Sequence, residues 1–218
     1  MGTGSGQVAL ELSRLFDRVV ATDPSARQIE NSATHARVEY RVEAAERASL
    51  ESASVDLVTV AQALHWFDFP RFYAEVRRVL KPGGLLAVWC YGLVRVGGGA
   101  GLVLDDFHDV VEPYWPPERR YVREEYRAIP FPFAEIQAPR FCMEAEWDAA
   151  RLLGYLGTWS AVARCREATG DDPIAALRPH LETAWGSPGN RKPLQWPVHL
   201  RVGRQEPVSA GFARREGG

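Results

Sequence analysis

The chain has 218 residues, 46% of them hydrophobic and 25% charged, with a formal net charge of −2. That length and composition describe one globular domain, or one domain with an insertion, able to bury a sizeable core. A near-neutral balance gives no electrostatic support for nucleic acid or an anionic membrane, so neither is expected as a partner. Cys90, Cys142 and Cys165 form no C-x-x-C pair, so they read as reduced, mostly buried thiols, with no disulfide framework and no metal site. The start has no charged segment leading into an apolar one, and "GGLLAVWCYGLV" (83–94) is shorter than the roughly 20 residues of a membrane helix. A cytoplasmic protein is expected.

In chain order, "MGTGSG" runs straight into a helix over Gln7 to Phe16, in which Val8, Leu12, Leu15 and Phe16 share one face. "RVVAT" (18–22) is a short buried strand, and "PSARQIENSATHA" (24–36) a helix with Asp23 as N-cap and Pro24 in its first turn, where a missing N–H costs nothing. Strand candidates follow at "VEYRVEA" (38–44) and "VDLVTVAQAL" (55–64), an amphipathic helix at "FPRFYAEVRRVL" (69–80), and a strand at 83–92 after the breaker Lys81-Pro82-Gly83-Gly84. Alternating strands and helices imply a parallel sheet covered on both faces. The alternation ends at the Gly-rich link 96–101. Beyond it lie "LVLDDFHDVVEPYW" (102–115), a Pro-punctuated aromatic stretch through "IPFPF" (129–133), and a strand at 139–147. Two helical pieces over 148–170, a helix at 172–186 and a last strand at 193–204 complete the chain.

The glycines discriminate among ligands. A dinucleotide fingerprint is G-x-G-x-x-G, its third glycine letting helix and strand pack beside a pyrophosphate. Here the glycines are Gly2, Gly4 and Gly6, and Gln7 stands where that third glycine belongs. The pattern G-x-G-x-G suits a ligand without a pyrophosphate. Asp23 follows Gly6 at the end of the next strand, where a carboxylate can accept bonds from both hydroxyls of a ribose.

"GTGSGQVALELSRLFDRVVATDPS", "VDLVTVAQALHWF" and "EVRRVLKPGGLLAVWCYG" together resemble the class I S-adenosylmethionine-dependent methyltransferases, in particular the small-molecule branch that includes trans-aconitate methyltransferase-like proteins. The resemblance covers residues 2 to 92 strongly and extends more loosely through "YLGTWSAVARCREATG" and "WPVHLRVGR". It implies an α/β Rossmann-like fold: a seven-stranded sheet of order 3-2-1-4-5-7-6 with an antiparallel last strand and helices on both faces. Residues 1–95 would be the cofactor-binding half, and 96–218 would supply the substrate-side helices and the last two strands of the same domain. Gly2, Gly4 and Gly6 would form the turn against S-adenosyl-L-methionine, and Asp23 would hold its ribose. Ala44 stands where family members often place an acid near the adenine, so adenine would rely on the loop at Ala45 and Glu46. "AQALHW" (61–66) would lie beside the transferred methyl, with Gln62 on the cofactor side and His65 and Trp66 at the reaction site.

The acceptor would be a small molecule bearing a carboxylate or a hydroxyl. A carboxylate is ionised at neutral pH and needs no base, whereas a hydroxyl needs one, and His65 has a suitable ordinary pKa of about 6.5. His65 can equally be structural, within a cluster with Trp66 and Phe67. Tyr155 and Trp159, with Tyr114, Trp115 and Arg164 or Arg166, could line an acceptor site; the i, i+4 spacing of Tyr155 and Trp159 also fits a core stripe.

In the family a strand ending in an acid stands before the first glycine, between the second and fourth strands, and here Met1 stands in its place. The expectation is therefore a chain lacking that strand, through a misassigned start or through decay to a non-catalytic binding module. Strands sit about 4.8 Å apart, so residues 18–22 and 55–61 should either flank an open slot or pair directly, leaving Gly2 to Gly6 without a rigid anchor. A nicotinamide-dependent oxidoreductase shares the early βαβ pattern and is the remaining alternative.

Overall fold

A computed structural model describes residues 1–206; residues 207–218 of the expected second half lie outside the described residues. The fold is α/β and Rossmann-like, with a mixed sheet and an antiparallel C-terminal strand. Two compact units share the chain: Met1–Cys90 with Ile129–Pro139 and the stretch from Leu200 onward, and Tyr91–Ala128 with Arg140–His199.

The first unit opens with helix α1 (Gln7–Leu12), entered from Gly6 in the left-handed region. It stops short of Phe16, and Leu15 is left 80% exposed. Strand β1 (Val19–Asp23), helix α2 (Ala26–Glu30) and strand β2 (Val38–Val42) follow, the strands parallel and in register from Val19↔Val38 to Asp23↔Val42. The helix expected over 24–36 is reduced to one turn and more, and its N-cap is Ser25, whose hydroxyl accepts from Gln28 N at 3.3 Å. Asp23 does not cap it. Its carboxylate is turned instead toward the N–H groups of Gly4 and Ser25.

Strand β3 (Val55–Ala61) leads through a 3-10 turn (Leu64–Trp66) to helix α3 (Phe69–Val79). Asp68 caps α3 by accepting from Arg71 N at 3.2 Å, and Pro70 occupies the first turn. Phe72, Tyr73, Val76 and Val79 form its buried face, each contributing on the order of 1.5–3 kcal/mol. Strand β4 (Leu80–Tyr91) is parallel to β3 from Leu57↔Leu85 to Ala61↔Trp89. Lys81-Pro82-Gly83-Gly84 does not precede the strand, as expected, but bulges within it, because Val55 already pairs with Leu80 before the register shifts. Gly84 is needed there: a Cβ would lie 3.0 Å from Lys81 O and 3.2 Å from Asp56 O.

Strand β5 (Arg95–Val96), helix α4 (Gly99–Val111) and helix α5 (Arg119–Arg123) begin the second unit. Strand β6 (Ala134–Ile136) belongs to the first unit again. Strand β7 (Phe141–Trp147) and helices α6 (Ala149–Leu156), α7 (Ser160–Thr169) and α8 (Pro173–Trp185) complete the second, and strand β8 (Lys192–Arg204) contributes residues to both. In the second unit β8 runs between β5 and β7, antiparallel to each. In the first, its end pairs antiparallel with β6, and Gln205 beyond it exchanges backbone bonds with Gly83 and Gly84 of β4. The second unit's core packs Leu104, Phe107 and Val111 of α4 with Leu152, Leu156, Leu177 and Leu181. Cys90 and Cys165 are buried as expected, but Cys142, on β7, is exposed. No helix among the described residues is long and apolar enough to cross a membrane.

Between β1 and β3 the sheet is interrupted. The β1–β2 pair forms a separate two-stranded sheet, and residues of β1 and β3, including Val20, Thr22, Leu57 and Val58, line one cavity of about 450 Å³. Direct pairing of β1 with β3, one of the two arrangements expected, is not found among the described residues.

Candidate active site

The glycine turn is anchored, contrary to expectation. Thr3 N donates to Thr22 O of β1 at 2.9 Å, and the amino group of Met1 to Thr59 O of β3 at 2.9 Å. Gly4 N donates to Asp23 Oδ2 at 2.9 Å, and Gly6 N closes the turn onto Thr3 O at 3.0 Å. Gly2, Gly4 and Gly6 have φ of +63°, +56° and +85°, a region that side chains with a Cβ rarely adopt. At Gly2 an added Cβ would fall 2.7 Å from Ala63 Cβ, so the turn lies directly on the segment after β3.

Asp23 accepts from Ser25 N through Oδ1 and from Gly4 N through Oδ2, both at 2.9 Å. A carboxylate offers about four acceptor positions, so two remain for a ligand. Ala45 is buried, and Glu46 Oε1 accepts from Asp68 N at 2.9 Å, tying the loop after β2 to the cap of α3. At the end of β3, Gln62 adopts φ +54° with its N–H on Trp89 O at 2.8 Å. A left-handed residue other than glycine stores on the order of 1–2 kcal/mol, a strain that concentrates at functional turns. His65 is buried, Trp66 is 57% exposed, and their rings lie 4.8 Å apart. The first unit thus brings the glycines, Asp23 and residues 62–67 together.

Tyr155 and Trp159 belong to the second unit. Trp159 is buried in its core, edge-on to Tyr155 at 5.8 Å, and the Tyr155 hydroxyl accepts from Trp196 Nε1 at 3.2 Å. Arg164 and Arg166 are exposed on α7, Arg166 being paired with Asp172. Near these rings the second unit has a cavity of about 450 Å³ lined in part by Trp115, which the sequence offered as an acceptor-site residue, and by His108, Arg119 and Glu125, which it did not. Arg119 stacks over the Trp115 ring at 4.7 Å, and Trp115 lies 5.5 Å from Trp159. His108 stacks on Trp159 at 5.7 Å; its Nε2 is buried with no hydrogen-bond partner, and burial lowers its pKa. Beside the cavity Glu125 and Tyr126 are successive left-handed residues, φ +59° and +60°.

Residues 1–88 match a family model described as a methyltransferase domain. A methyltransferase of Dictyostelium discoideum is 34% identical over 213 residues, spanning 94% of this chain and 81% of that protein. An uncharacterized methyltransferase of Mycobacterium tuberculosis is 30% identical over 155 residues, 66% of this chain and 64% of that one. A solved structure from Anaeromyxobacter dehalogenans, described as a type II methyltransferase, matches with a TM-score of 0.89 at 47% identity, covering 95% of this chain and 88% of that one. A methyltransferase from an antibiotic biosynthesis pathway of Anabaena variabilis shares the fold alone, with a TM-score of 0.55 at 16% identity over 90% and 88% of the two chains.

Proposed function

The chain belongs to the class I S-adenosylmethionine-dependent methyltransferases, and from that membership we propose that its first unit holds the cofactor while its second selects a small-molecule acceptor. The observation that carries the cofactor assignment is the bond from Gly4 N to Asp23 Oδ2, which sets the turn and the carboxylate side by side. The residues present fit the group. Space above Gly4 is open, the nearest atom to an added Cβ being Gln28 Oε1 at 4.0 Å, and Asp23 keeps acceptor positions free for ribose hydroxyls. Gly2, Gly4 and Gly6 would bring backbone close to the methionyl part, Gln62 would approach it from the end of β3, and Ala45 and Glu46 would border the adenine.

S-adenosylmethionine supplies an electrophilic methyl on a sulfonium, so the chain's task is chiefly alignment and exclusion of water. Trp66, more than half exposed on the turn after Gln62, would cover the reacting group. His65 beside it would take the proton from a hydroxyl acceptor, a step a carboxylate acceptor does not require. Tyr155 and Trp159 would act through the wall they form under Trp115, and the acceptor is a carboxylate or hydroxyl compound of the size that trans-aconitate methyltransferase-like proteins take. The test is incubation of the full chain with methyl-labelled S-adenosylmethionine and a panel of small acids and alcohols. Label transfer to a panel member with wild-type protein, reduced about 100-fold or more in His65→Ala for a hydroxyl acceptor, is the expected result. Transfer to no small molecule, with transfer to protein or nucleic acid instead, would refute the acceptor class.

A further inference from the structure

Strand β7 leaves one side of its backbone unpaired. Among the described residues it pairs with β8 alone, from Phe141↔Val198 to Trp147↔Lys192. Pro197, opposite Cys142, turns its carbonyl the other way and accepts from Gly92 N at 3.0 Å. Backbone groups alternate sides along a strand, so Phe141, Met143 and Ala145 bond β8, while the N–H and C=O groups of Cys142 and Glu144 face outward. The carbonyl of Glu146, next in that row, accepts from the guanidinium of Arg191. Two apolar side chains on this edge meet solvent: Phe141 and Met143 continue the face on which Ala145 and Trp147 pack the unit's core, yet they are 52% and 41% exposed. On the opposite face lie Arg140, just before the strand, then Cys142 and Glu144, all exposed. Glu144 Oε1 accepts from Gln195 Nε2 at 2.8 Å, and a carboxylate has further acceptor positions for a cation.

We propose that this edge joins two copies of the chain, β7 pairing antiparallel with the same strand of a second copy about a two-fold axis at Cys142. In that register Phe141 lies opposite the partner's Met143, Arg140 opposite the partner's Glu144, and the two Cys142 residues face each other. Apolar contacts with an aromatic ring and opposite charges across a ladder both stabilise it, and symmetry makes each pair occur twice. Neighbouring registers are worse. An axis at Glu144 sets the two Glu144 carboxylates against each other, and one at Met143 sets Arg140 against Glu146, whose carbonyl is already bonded. The ladder is short, so the dimer is weak, with a dissociation constant on the order of 10–100 µM, in keeping with an interface under about 1,200 Å². Only residues of the second unit take part, and methyl transfer is not required.

The test is sedimentation velocity of the full chain from about 5 to 500 µM, over which the wild type should pass from monomer to dimer. Arg140→Glu and Glu144→Arg, both at exposed positions, each turn two attractive pairs into two repulsive ones and should weaken the dimer at least about tenfold. The double variant restores opposite charges and should return to within about threefold of wild type. Cross-linking reads the register, because opposed residues of a hydrogen-bonded antiparallel pair have Cα atoms about 5.5 Å apart, within disulfide range. Diamide oxidises two thiols to a disulfide, taking up their two hydrogens as it is reduced to the hydrazine. Under it wild type should cross-link through Cys142 and Cys142→Ser should not, Cys90 and Cys165 being buried. A monomer throughout the range, a dimer indifferent to both single substitutions, a double variant as weak as the singles, or a dimer that does not cross-link at Cys142 would overturn the proposal.

Discussion

An added Cβ at Gly6 would sit 2.6 Å from Tyr40 Cε1, at a φ of +85°, whereas at Gly4, φ +56°, the nearest atom is 4.0 Å away. The two glycines therefore serve different ends, one admitting a protein side chain and the other leaving room for a ligand. Gly6→Ala is expected to cost about 2–4 kcal/mol, from left-handed strain and overpacking together, and Gly4→Ala only about 1–2 kcal/mol. Thermal unfolding checks this, at roughly 2–4 °C per kcal/mol for a chain of this size; equal shifts would contradict the distinction. The Tyr40 hydroxyl is buried without a partner, so Tyr40→Phe should be neutral or slightly stabilising. The spacing of Gly2, Gly4, Gly6 and Asp23 was legible because each is a backbone or charge requirement tied to a short segment. The left-handed Gln62 was not, since glutamine carries no local signal for that conformation.

At the scale of elements, α3 and the network around it hold the loop that carries Glu46. Asp68 caps α3 while its own N–H bonds Glu46. Asp68→Ala should cost about 1 kcal/mol, a drop of a few degrees in melting temperature. On the same helix Glu75 is buried, accepts from Ala48 N at 2.8 Å and pairs with Arg78 at 2.6 Å. The hydrogen bond from Arg78 holds its carboxyl below the ordinary value of 4.5. A folded-state pKa depressed in this way stabilises the fold above the unfolded pKa, and the benefit disappears as pH falls through the folded value. The difference in melting temperature between wild type and Glu75→Gln should thus be largest near pH 7 and shrink below about pH 4; a difference constant with pH would contradict it. The strands and α3 were readable from periodicity and caps. The helix at 24–36 was overread, because Ser25 caps later and His35 already bridges to Val38.

At the scale of the molecule, the sheet is divided between β1 and β3. A two-stranded pair has little independent stability, and strand edges facing a cavity lack ladder partners. Amides of β1 and β2 should therefore exchange hydrogen faster than those of β3 and β4, by an order of magnitude or more in protection; uniform protection across the four strands would contradict an open division. The parallel pairs β1–β2 and β3–β4 followed from the alternation of strands and helices. Of the second cavity's lining only Trp115 was legible; Arg119 comes from a Pro-punctuated stretch without periodicity and joins His108 only through tertiary packing.

The central claim is that Gly2 to Gly6 and Asp23 form the S-adenosylmethionine site, and calorimetric titration of S-adenosylhomocysteine into wild type and Asp23→Asn tests it most directly. The account predicts saturable one-to-one binding by wild type, weakened about 5- to 150-fold in the variant, the equivalent of about 1–3 kcal/mol for a mispaired hydrogen bond to a charged group, with the melting temperature of the free protein reporting any loss of fold. Equal affinity in the two proteins, or no binding by folded wild type, would contradict it.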